Sequence, residues 1–416
     1  MNRKISIVLV GIGGYGQGYV DALLGDYNED RYYIAGVIDP FPEKCERIKA
    51  IKEKDIQVYS SMEDFYACSK ADLAIISSPL HYHSAQICYA LGKGSNVLCE
   101  KPICSTVQDA MKIIQERDRT GKFVAIGYQW CYTNAIQELK RDIITGVLGK
   151  PKRLKTIVLT PRTEAYYKRA GWVGKKQDAQ GNWVLDSVVG NATAHYLHNM
   201  FYLLGNRMEQ SISLEGVVAE LYRANEIDNY DTAAARIFTE DGVEILYYAS
   251  HATEKTLGPT FHFEFEKASV RFETDWEGIP YSENKEVRKG NIWAAFNDDS
   301  YKIYGNPNED EMNKLATSMK ADLGKTTIPC GPEASMVHTI CTNGMQDSMP
   351  QIQKFPEDII NRKVDEFSQK ERIFAKGLDD ILTQCYDKGI LPSESGIQWA
   401  KKGRNVDLRN YTCFVQ

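Results

Sequence analysis

Over the first 130 residues, short hydrophobic runs alternate with amphipathic stretches. The runs that predict strands are "KISIVLVGIG", "YYIAGVIDP", "DIQVYSS", "ADLAIISSP", "SNVLCEKP" and "KFVAIGYQW". Between them, "DFYACSK", "HSAQICYALGKG" and "STVQDAMKIIQERDRTG" have the periodicity of helices. Strands that alternate with helices predict βαβ units and a doubly wound parallel sheet. Continuous apolar segments such as "LAIIS" favour a sheet that is covered on both faces.

After Trp130 the pattern changes. A helical segment, "NAIQELKRDIITGVLG", precedes the strand "KRLKTIVLTP" and a long polar loop. Strand-like runs follow between residues 214 and 274, separated by turns such as Glu240-Asp241-Gly242, and they predict an antiparallel meander. Helical segments, including "RIFAKGLDDILTQCYDKG", close the chain. We therefore predict an α/β protein with a doubly wound domain over residues 1–130. An α+β domain with a large, mainly antiparallel open sheet would occupy residues 131–416.

Length and charge narrow the classes of function. A chain of 416 residues exceeds one ordinary domain, and its net charge of −6 gives no electrostatic footprint for nucleic acid. No apolar stretch approaches the roughly 20 residues that span a bilayer. The first apolar run leads into glycines, so we interpret it as a strand rather than a signal peptide. Ten cysteines show no paired spacing, and no metal site is indicated. We expect a cytoplasmic protein that binds a small molecule.

The stretch "VLVGIGGYGQGYV" has the spacing GxGxxG between a strand and a helix. Such glycines permit a tight turn, a close approach of backbone to a pyrophosphate, and close packing of helix on strand. Asp39 ends the second strand, where a carboxylate accepts hydrogen bonds from ribose hydroxyls and repels a 2′-phosphate. We predict a Rossmann-type domain that prefers NAD to NADP. The cofactor-binding residues expected here are Gly11, Gly13, Gly14, Tyr15, Gly16 and Asp39.

The most specific stretch is "SSPLHYHSAQICYALGKGSNVLCEKPICST". Together with "GIGGYG", it resembles the glucose–fructose oxidoreductase / inositol dehydrogenase (Gfo/Idh/MocA) family. This resemblance implies NAD(P)-dependent hydride transfer at a hydroxyl carbon of a sugar, cyclitol or related polyol. It also implies that Lys101 bonds the reacting hydroxyl and that Glu100 lies near the cofactor. Ser78, Pro79 and His83 would line the nicotinamide side of the site.

The position of Lys101 supports this role independently. Ligands bind at the carboxyl ends of the strands in a parallel sheet, and Lys101 follows such a strand. Partial dehydration near a cationic ring would lower the pKa of a lysine and let it exchange a proton with a substrate oxygen. The alternative is a solvated surface lysine.

The family supplies its base in the pattern Asp-x-x-x-His-x-x-Asp, ahead of an apolar run that ends in Leu-Gly. By this resemblance, "MFYLLG" aligns His195 with the histidine, and Asn191 and His198 with the two aspartates. We predict that His195 is the base and that Asn191 and His198 bind substrate. Asp186 would supply a displaced catalytic carboxylate, or it would cap the loop. Two other interpretations remain open: both histidines could edge a core helix, or their spacing of three could serve a metal.

The loop "TPRTEAYYKRAGWVGKKQDAQGNW" is rich in aromatic and basic residues. Aromatic faces with cationic donors suit a polyol, although the same composition suits a subunit contact. From this loop we predict Trp172 as a substrate contact, and from the domain junction Tyr128 and Gln129.

These patterns favour an NAD-dependent oxidoreductase that acts on a secondary alcohol or ketone of a sugar, cyclitol or sugar derivative. One alternative is glycoside cleavage, in which transient oxidation acidifies the neighbouring C–H and elimination follows. A non-catalytic NAD-binding regulator is the third. The resemblance further implies a homodimer or homotetramer joined through the open face of the second sheet, where strands such as "EILYYASHA" lie.

Overall fold

The structure is a computed structural model, and it describes residues 3–25, 31–274, 290–364 and 369–415. The chain divides into two compact units. The first comprises Met1–Tyr132 and Asp310–Met336, and the second comprises Thr133–Glu309 and Val337–Gln416. The sequence pattern places residues 310–336 in the second domain, whereas in the structure they belong to the first unit. Their local pattern indicates a helix but not the sheet on which that helix packs.

The first unit is built on a six-stranded parallel sheet. Its strands are β1 (Ile5–Val10), β2 (Tyr32–Ile38), β3 (Val58–Tyr59), β4 (Leu73–Ile76), β5 (Asn96–Cys99) and β6 (Val124–Ile126). The first helices of the chain are α1 (Gln17–Gly25), α2 (Ile48–Glu53), α3 (Met62–Cys68), α4 (His83–Gly92) and α5 (Val107–Thr120). The strand order is β3-β2-β1-β4-β5-β6, which is the doubly wound order of dinucleotide-binding folds. This confirms the predicted fold class for the first domain.

A helix from the later part of the chain, Asn313–Asp322, completes the core of this unit. Leu315 is buried in the same cluster as strand residues Ile7, Leu73 and Leu98. Hydrophobic side chains at intervals of three and four residues give a helix an apolar face that is stabilised by burial. The segment after residue 310 therefore contributes to the first unit through packing.

The second unit contains a ten-stranded sheet and a separate two-stranded sheet. Its strands are β7 (Pro151–Leu159), β8 (Leu214–Arg223), β9 (Thr232–Thr239), β10 (Glu244–Ser250), β11 (Leu257–Phe265), β12 (Ala268–Glu273), β13 (Ile292–Phe296), β14 (Tyr301–Gly305), β15 (Gln353–Lys354), β16 (Ile360–Val364), β17 (Glu371–Ala375) and β18 (Val406–Asp407). The remaining helices of the chain are α6 (Asn134–Ile144), α7 (Glu164–Lys168), α8 (Ala194–Leu203), α9 (Asn313–Asp322), α10 (Pro332–Ser348) and α11 (Leu378–Lys388).

The large sheet is mainly antiparallel, as predicted, but its strands do not form a continuous meander. Nine of its ten strands follow the order β14-β13-β12-β11-β7-β10-β9-β8-β15, and β18 pairs with β8 off this path. Strand β7 lies between β10 and β11, parallel to the first and antiparallel to the second. A turn signal predicts a hairpin between neighbours in sequence, but it cannot show that an earlier apolar strand inserts between them. The simple meander was therefore wrong at this point.

Both faces of the centre of this sheet are covered within the unit. On one face, Tyr247 donates a hydrogen bond to the carbonyl oxygen of Thr193, next to α8 (2.8 Å). On the other, Tyr248 donates to the carbonyl oxygens of Cys385 (3.1 Å) and Ile390 (2.9 Å), in and after α11. The face of "EILYYASHA" that carries Tyr248 is therefore covered by the chain's own helix. The sequence analysis expected an open face at β10, and at Tyr248 the later segment packs on that face instead. Assembly through this sheet stays a prediction.

The segment "RIFAKGLDDILTQCYDKG" is also divided differently from the sequence-based expectation. Its first residues form β17, and the helix α11 begins only after Gly377, which has φ +77°. A left-handed backbone is readily adopted by glycine and separates the strand from the helix. Among the described residues, none of the helices has both the length and the apolar character needed to cross a bilayer.

Candidate active site

The glycine turn after β1 has no room for side chains at two of its positions. A Cβ on Gly11, which has φ +80°, would lie 2.9 Å from the backbone of Ser77. A Cβ on Gly16 would lie 2.1 Å from the carbonyl oxygen of Gly11. At Gly13, by contrast, the nearest atom is Cβ of Lys44 at 3.7 Å. Gly11 and Gly16 therefore close the turn, whereas Gly13 leaves backbone accessible to a ligand.

Asp39 is fixed beside this turn by two backbone hydrogen bonds. Its Oδ2 accepts from the N–H of Ile12 (2.9 Å), and its Oδ1 accepts from the N–H of Phe41 (2.8 Å). The side chain is half-buried and follows β2 directly. Each carboxylate oxygen keeps capacity for a further hydrogen bond. The turn and this carboxylate together suit the pyrophosphate and adenosine ribose of a dinucleotide.

The predicted catalytic lysine follows β5. Lys101 is half-buried, and its N–H donates to Oε2 of the preceding Glu100 (3.2 Å). Glu100 is only 6% exposed. A carboxylate at this depth needs a compensating cation and hydrogen bonds.

That cation is Lys314 of α9, which sequence analysis missed. Its Nζ donates to Oε1 of Glu100 (2.5 Å) and to the hydroxyl of Tyr15 (2.7 Å). Tyr19 also donates to Oε1 of Glu100 (2.6 Å). Burial alone would raise the pKa of Glu100, but the charge and hydrogen bond of Lys314, the hydrogen bond from Tyr19 and the charge of Lys101 together hold the pKa below its usual value. Burial likewise opposes the charge of Lys314, and Glu100 nonetheless raises the pKa of the lysine.

His83 is 1% exposed. Its Nδ1 lies 2.8 Å from the carbonyl oxygen of Pro102, and its Nε2 lies 2.9 Å from that of Ser78. Burial lowers the pKa of the imidazole, and the two carbonyl oxygens oppose that shift. Both ring nitrogens thus face backbone, so His83 links the turn after β4 to the bend after Lys101. His83 therefore has the contacts of a positioning residue. Ser78 and Pro79, both half-buried, lie in the turn after β4 that His83 holds.

Two further predicted residues follow β6. Tyr128 is 1% exposed, and burial raises the pKa of its hydroxyl well above the usual value. Gln129 is half-buried and lies between the hydroxyl of Tyr15 and the carboxylate of Glu311, each at 3.4 Å. Tyr128 has the surroundings of a packing residue, while Gln129 retains accessible surface.

In the second unit, His195 lies in the first turn of α8. A single π-helical turn, Val188–Ala192, precedes this helix and contains Asn191. Asn191 and His195 are both half-buried, whereas His198 is completely buried, with its ring stacked 6.0 Å from that of Tyr202. π-Turns often occur at functional sites, because they change which side chains share a face. The structure thus gives accessible surface to His195 and Asn191 but not to His198.

Asp186 is 3% exposed and has two roles in this unit. Its Oδ1 accepts from Nδ2 of Asn191 (2.8 Å), and its Oδ2 accepts from the N–H of Gly174 (2.7 Å). It therefore orients the amide of Asn191 and anchors the loop that carries the half-buried Trp172. These contacts are those of a positioning carboxylate.

Comparison with known proteins finds a family model and several relatives that this chain resembles. Residues 5–128 match the model of the Gfo/Idh/MocA family, which is described as an oxidoreductase family with an NAD-binding Rossmann fold. An inositol 2-dehydrogenase from Burkholderia multivorans is 23% identical over 242 residues, 58% of this chain and 66% of that protein. A 2,7-anhydro-N-acetylneuraminate hydratase from Mediterraneibacter gnavus is 26% identical over 216 residues, 50% of this chain and 53% of that protein. The matches thus span between about half and two thirds of these relatives.

The fold also has solved counterparts. The WlbA dehydrogenase from Bordetella pertussis, in complex with NADH and UDP-GlcNAcA, superposes with a TM-score of 0.66 at 21% identity. That match covers 82% of this chain and 95% of the WlbA chain. At this identity the likeness shows a shared fold.

Proposed function

We propose that this protein is an NAD-dependent oxidoreductase, because residues 5–128 match the model of the Gfo/Idh/MocA oxidoreductase family, which is described by an NAD-binding Rossmann fold. Its substrate would be a secondary alcohol, or the corresponding ketone, of a sugar, cyclitol or sugar derivative. The bound dinucleotide supplies an acceptor or donor of hydride. The similarity to an inositol 2-dehydrogenase and to a dehydrogenase that binds UDP-GlcNAcA supports a carbohydrate-like substrate.

One observation carries this proposal. The turn that begins at Gly11 follows β1, Asp39 follows β2, Ser78 follows β4 after one residue, and Lys101 follows β5 after one residue. These strands are parallel neighbours, so all four positions lie at the carboxyl edge of one sheet. Ligands bind at this edge in doubly wound folds. The predicted cofactor residues and the predicted catalytic lysine therefore share one edge.

Each residue would have a defined task. Backbone N–H groups of the glycine turn would bind the pyrophosphate, and Asp39 would accept hydrogen bonds from ribose hydroxyls. Lys101 would donate a hydrogen bond to the reacting oxygen and stabilise negative charge on it as its proton leaves. His195 would accept that proton, because histidine exchanges protons near neutral pH. Asn191, oriented by Asp186, would donate to a neighbouring hydroxyl.

The test is a panel of polyols, cyclitols and sugar derivatives incubated with NAD and monitored at the absorbance band of NADH. Lys101→Met and His195→Gln should lower kcat/KM by about 10²–10⁴-fold, the range for lost proton-transfer groups. Lys93→Met, at an exposed position just after α4, is the matched control and should retain activity. Binding of NAD without turnover on the whole panel would instead favour a non-catalytic regulator.

A second candidate function has specific support. By the family resemblance, an amide, Asn191, aligns with the family's first aspartate, and one relative is named as a hydratase. Transient oxidation of a hydroxyl would acidify the adjacent C–H, and elimination and re-reduction would then leave NAD unconsumed. Product analysis distinguishes the two functions: this one cleaves or hydrates the substrate without net NADH. A homodimer or homotetramer remains a prediction, and analytical ultracentrifugation tests it.

A further inference from the structure

A cluster of aromatic and cationic side chains lies at one edge of the large sheet. Strands β7 and β10 are parallel neighbours, and the chain beyond their carboxyl ends stays paired: the N–H of Arg162 donates to the carbonyl oxygen of His251 (3.1 Å). Tyr166 and Tyr167 of α7 contact this point. The ring of Tyr166 lies 5.5 Å from that of His251, and the Tyr167 hydroxyl lies 3.2 Å from Nδ1 of His251. The cluster is therefore part of the framework of the sheet.

Two guanidinium groups share the ring of Tyr166. Cζ of Arg169 lies 4.0 Å and Cζ of Arg162 lies 5.2 Å from its centroid, and Arg169 also lies 5.7 Å from the ring of Trp172. In the described part of the chain, neither guanidinium forms an ion pair within 4.0 Å. The adjacent Lys168 does form one, with Glu164 (2.8 Å). Two like charges beside one ring repel each other unless an anion lies between or near them.

The neighbouring histidine does not offset this positive charge. His251 is 2% exposed, and its Nε2 has no hydrogen-bond partner among the described residues. Burial, and then the charges of Arg162 and Arg169, hold the pKa of His251 well below its usual value. The imidazole is therefore neutral at physiological pH. The charged side chains of the cluster are the two arginines. The carboxylate of Asp186 also lies near Tyr166, whose pKa burial and this carboxylate raise, but it already accepts hydrogen bonds from Asn191 and Gly174.

The cluster is continuous with the predicted catalytic segment. Asp186 anchors the loop of Trp172 through the N–H of Gly174 and holds the amide of Asn191. Asn191 lies four residues before His195, in the π-helical turn that precedes α8. The segment that leads into His195 and the loop that carries Trp172 are thus joined through Asp186 within one unit. Arg169 is exposed and Trp172 half-buried, so both are accessible.

We propose that Arg162 and Arg169 bind an anionic group, a carboxylate or a phosphate, carried by the carbohydrate substrate. This inference rests on the proposed function and narrows its substrate class to acidic sugars. The planar guanidinium presents paired N–H donors that match carboxylate and phosphate oxygens. The faces of Tyr166 and Trp172 would pack on the apolar C–H face of the sugar ring. Neutral polyols would lack the ionic contact.

Direct binding tests this inference without a need for turnover. The 416-residue protein is titrated calorimetrically, with and without NADH, with D-glucuronate, D-glucose 6-phosphate and D-glucose. We expect at least one anionic sugar to bind at least tenfold more tightly than glucose. Arg162→Gln and Arg169→Gln should each remove about tenfold of that preference and leave glucose unaffected. Arg207→Gln, at an exposed position of the same unit, removes the same charge and should change nothing.

The arms of the experiment separate the possible failures. Tighter binding of glucuronate identifies a carboxylate, and tighter binding of the phosphate identifies a phosphoryl group. Equal binding of all three sugars, absence of binding by both anions, or equal losses in all three variants would overturn the inference. If a neutral polyol still yields NADH in a Lys101-dependent way, the proposed function survives that result. Selective anion binding with no Lys101-dependent reaction would refute the proposed function alone.

Discussion

Removing the ammonium of Lys314 should destabilise the protein, because Glu100 would lose the cation that compensates its buried charge. Lys314 is 0% exposed and lies 2.5 Å from the carboxylate of Glu100. Lys314→Met keeps a similar apolar stem but leaves a buried carboxylate without its cation. Breaking a buried ion pair from one side costs about 3–5 kcal/mol. This is a large share of the free energy of unfolding of a native protein, which is typically about 5–15 kcal/mol.

The assay is urea-induced unfolding of wild type, Lys314→Met, Glu100→Gln and the double variant, followed by circular dichroism. The double variant should be less destabilised than the sum of the singles, with a coupling free energy of about 2 kcal/mol or more, because it removes both charges. Lys320→Met is the matched control, since this exposed residue lies on the same helix. It should change stability by less than about 0.5 kcal/mol. Additive losses of stability in the double variant, or a loss below about 1 kcal/mol in Lys314→Met, would show that the two charges do not stabilise each other.

The same pair predicts how the coupling depends on pH. Because the folded pKa of Glu100 is lowered, its stabilisation is complete above the unfolded value of about 4.3 and is lost as pH falls through the folded pKa. Because the folded pKa of Lys314 is raised, its stabilisation is complete below about 10.4 and is lost as pH rises through the folded pKa. The coupling should therefore be constant between these limits. A coupling that already weakens at neutral pH would contradict these assignments.

Four other variants test the residues predicted to bind or border the cofactor. Gly16→Ala should lower both stability and NAD affinity, because its Cβ would lie 2.1 Å from the Gly11 oxygen. Gly13→Ala should fold normally and lose NAD affinity alone. Thermal unfolding with and without NAD separates these outcomes. Asp39→Asn should raise the KM for NAD about tenfold and reduce the preference for NAD over NADP, since a charged hydrogen bond contributes about 1.5–3 kcal/mol. Unchanged KM values for both cofactors would argue against a ribose contact. His83→Phe should lower kcat with little change in the KM for NAD, if His83 acts by holding the backbone at Pro102.

The sequence predicts most of the first unit, because its signals are local. Alternating strands and helices, the spacing from Gly11 to Gly16, and a carboxylate after β2 are read within a few residues of one another. In the structure, Asp39 indeed contacts the glycine turn through Ile12. Each of these features is fixed by backbone geometry, which the residue type itself reveals.

What the sequence did not predict depends on distant contacts. Leu315 and Lys314 lie in a segment whose periodicity indicates an amphipathic helix, but nothing local states that the lysine is buried against Glu100, more than 200 residues earlier. The insertion of β7 beside β10 and the covering of Tyr248 by α11 have the same origin. The burial of His198 could have been anticipated, since the apolar residues around it predict a core-facing helix.

We propose that Lys101 and His195 serve hydride transfer between a carbohydrate carbon and bound NAD. The most direct measurement uses a substrate from the panel deuterated at the reacting carbon, with mass spectrometry of the dinucleotide after reaction. We expect deuterium to appear in the dinucleotide with wild-type protein, and the rate of its appearance to fall at least a hundredfold in Lys101→Met. A substrate that is converted while the dinucleotide, bound or released, never carries the label would contradict it.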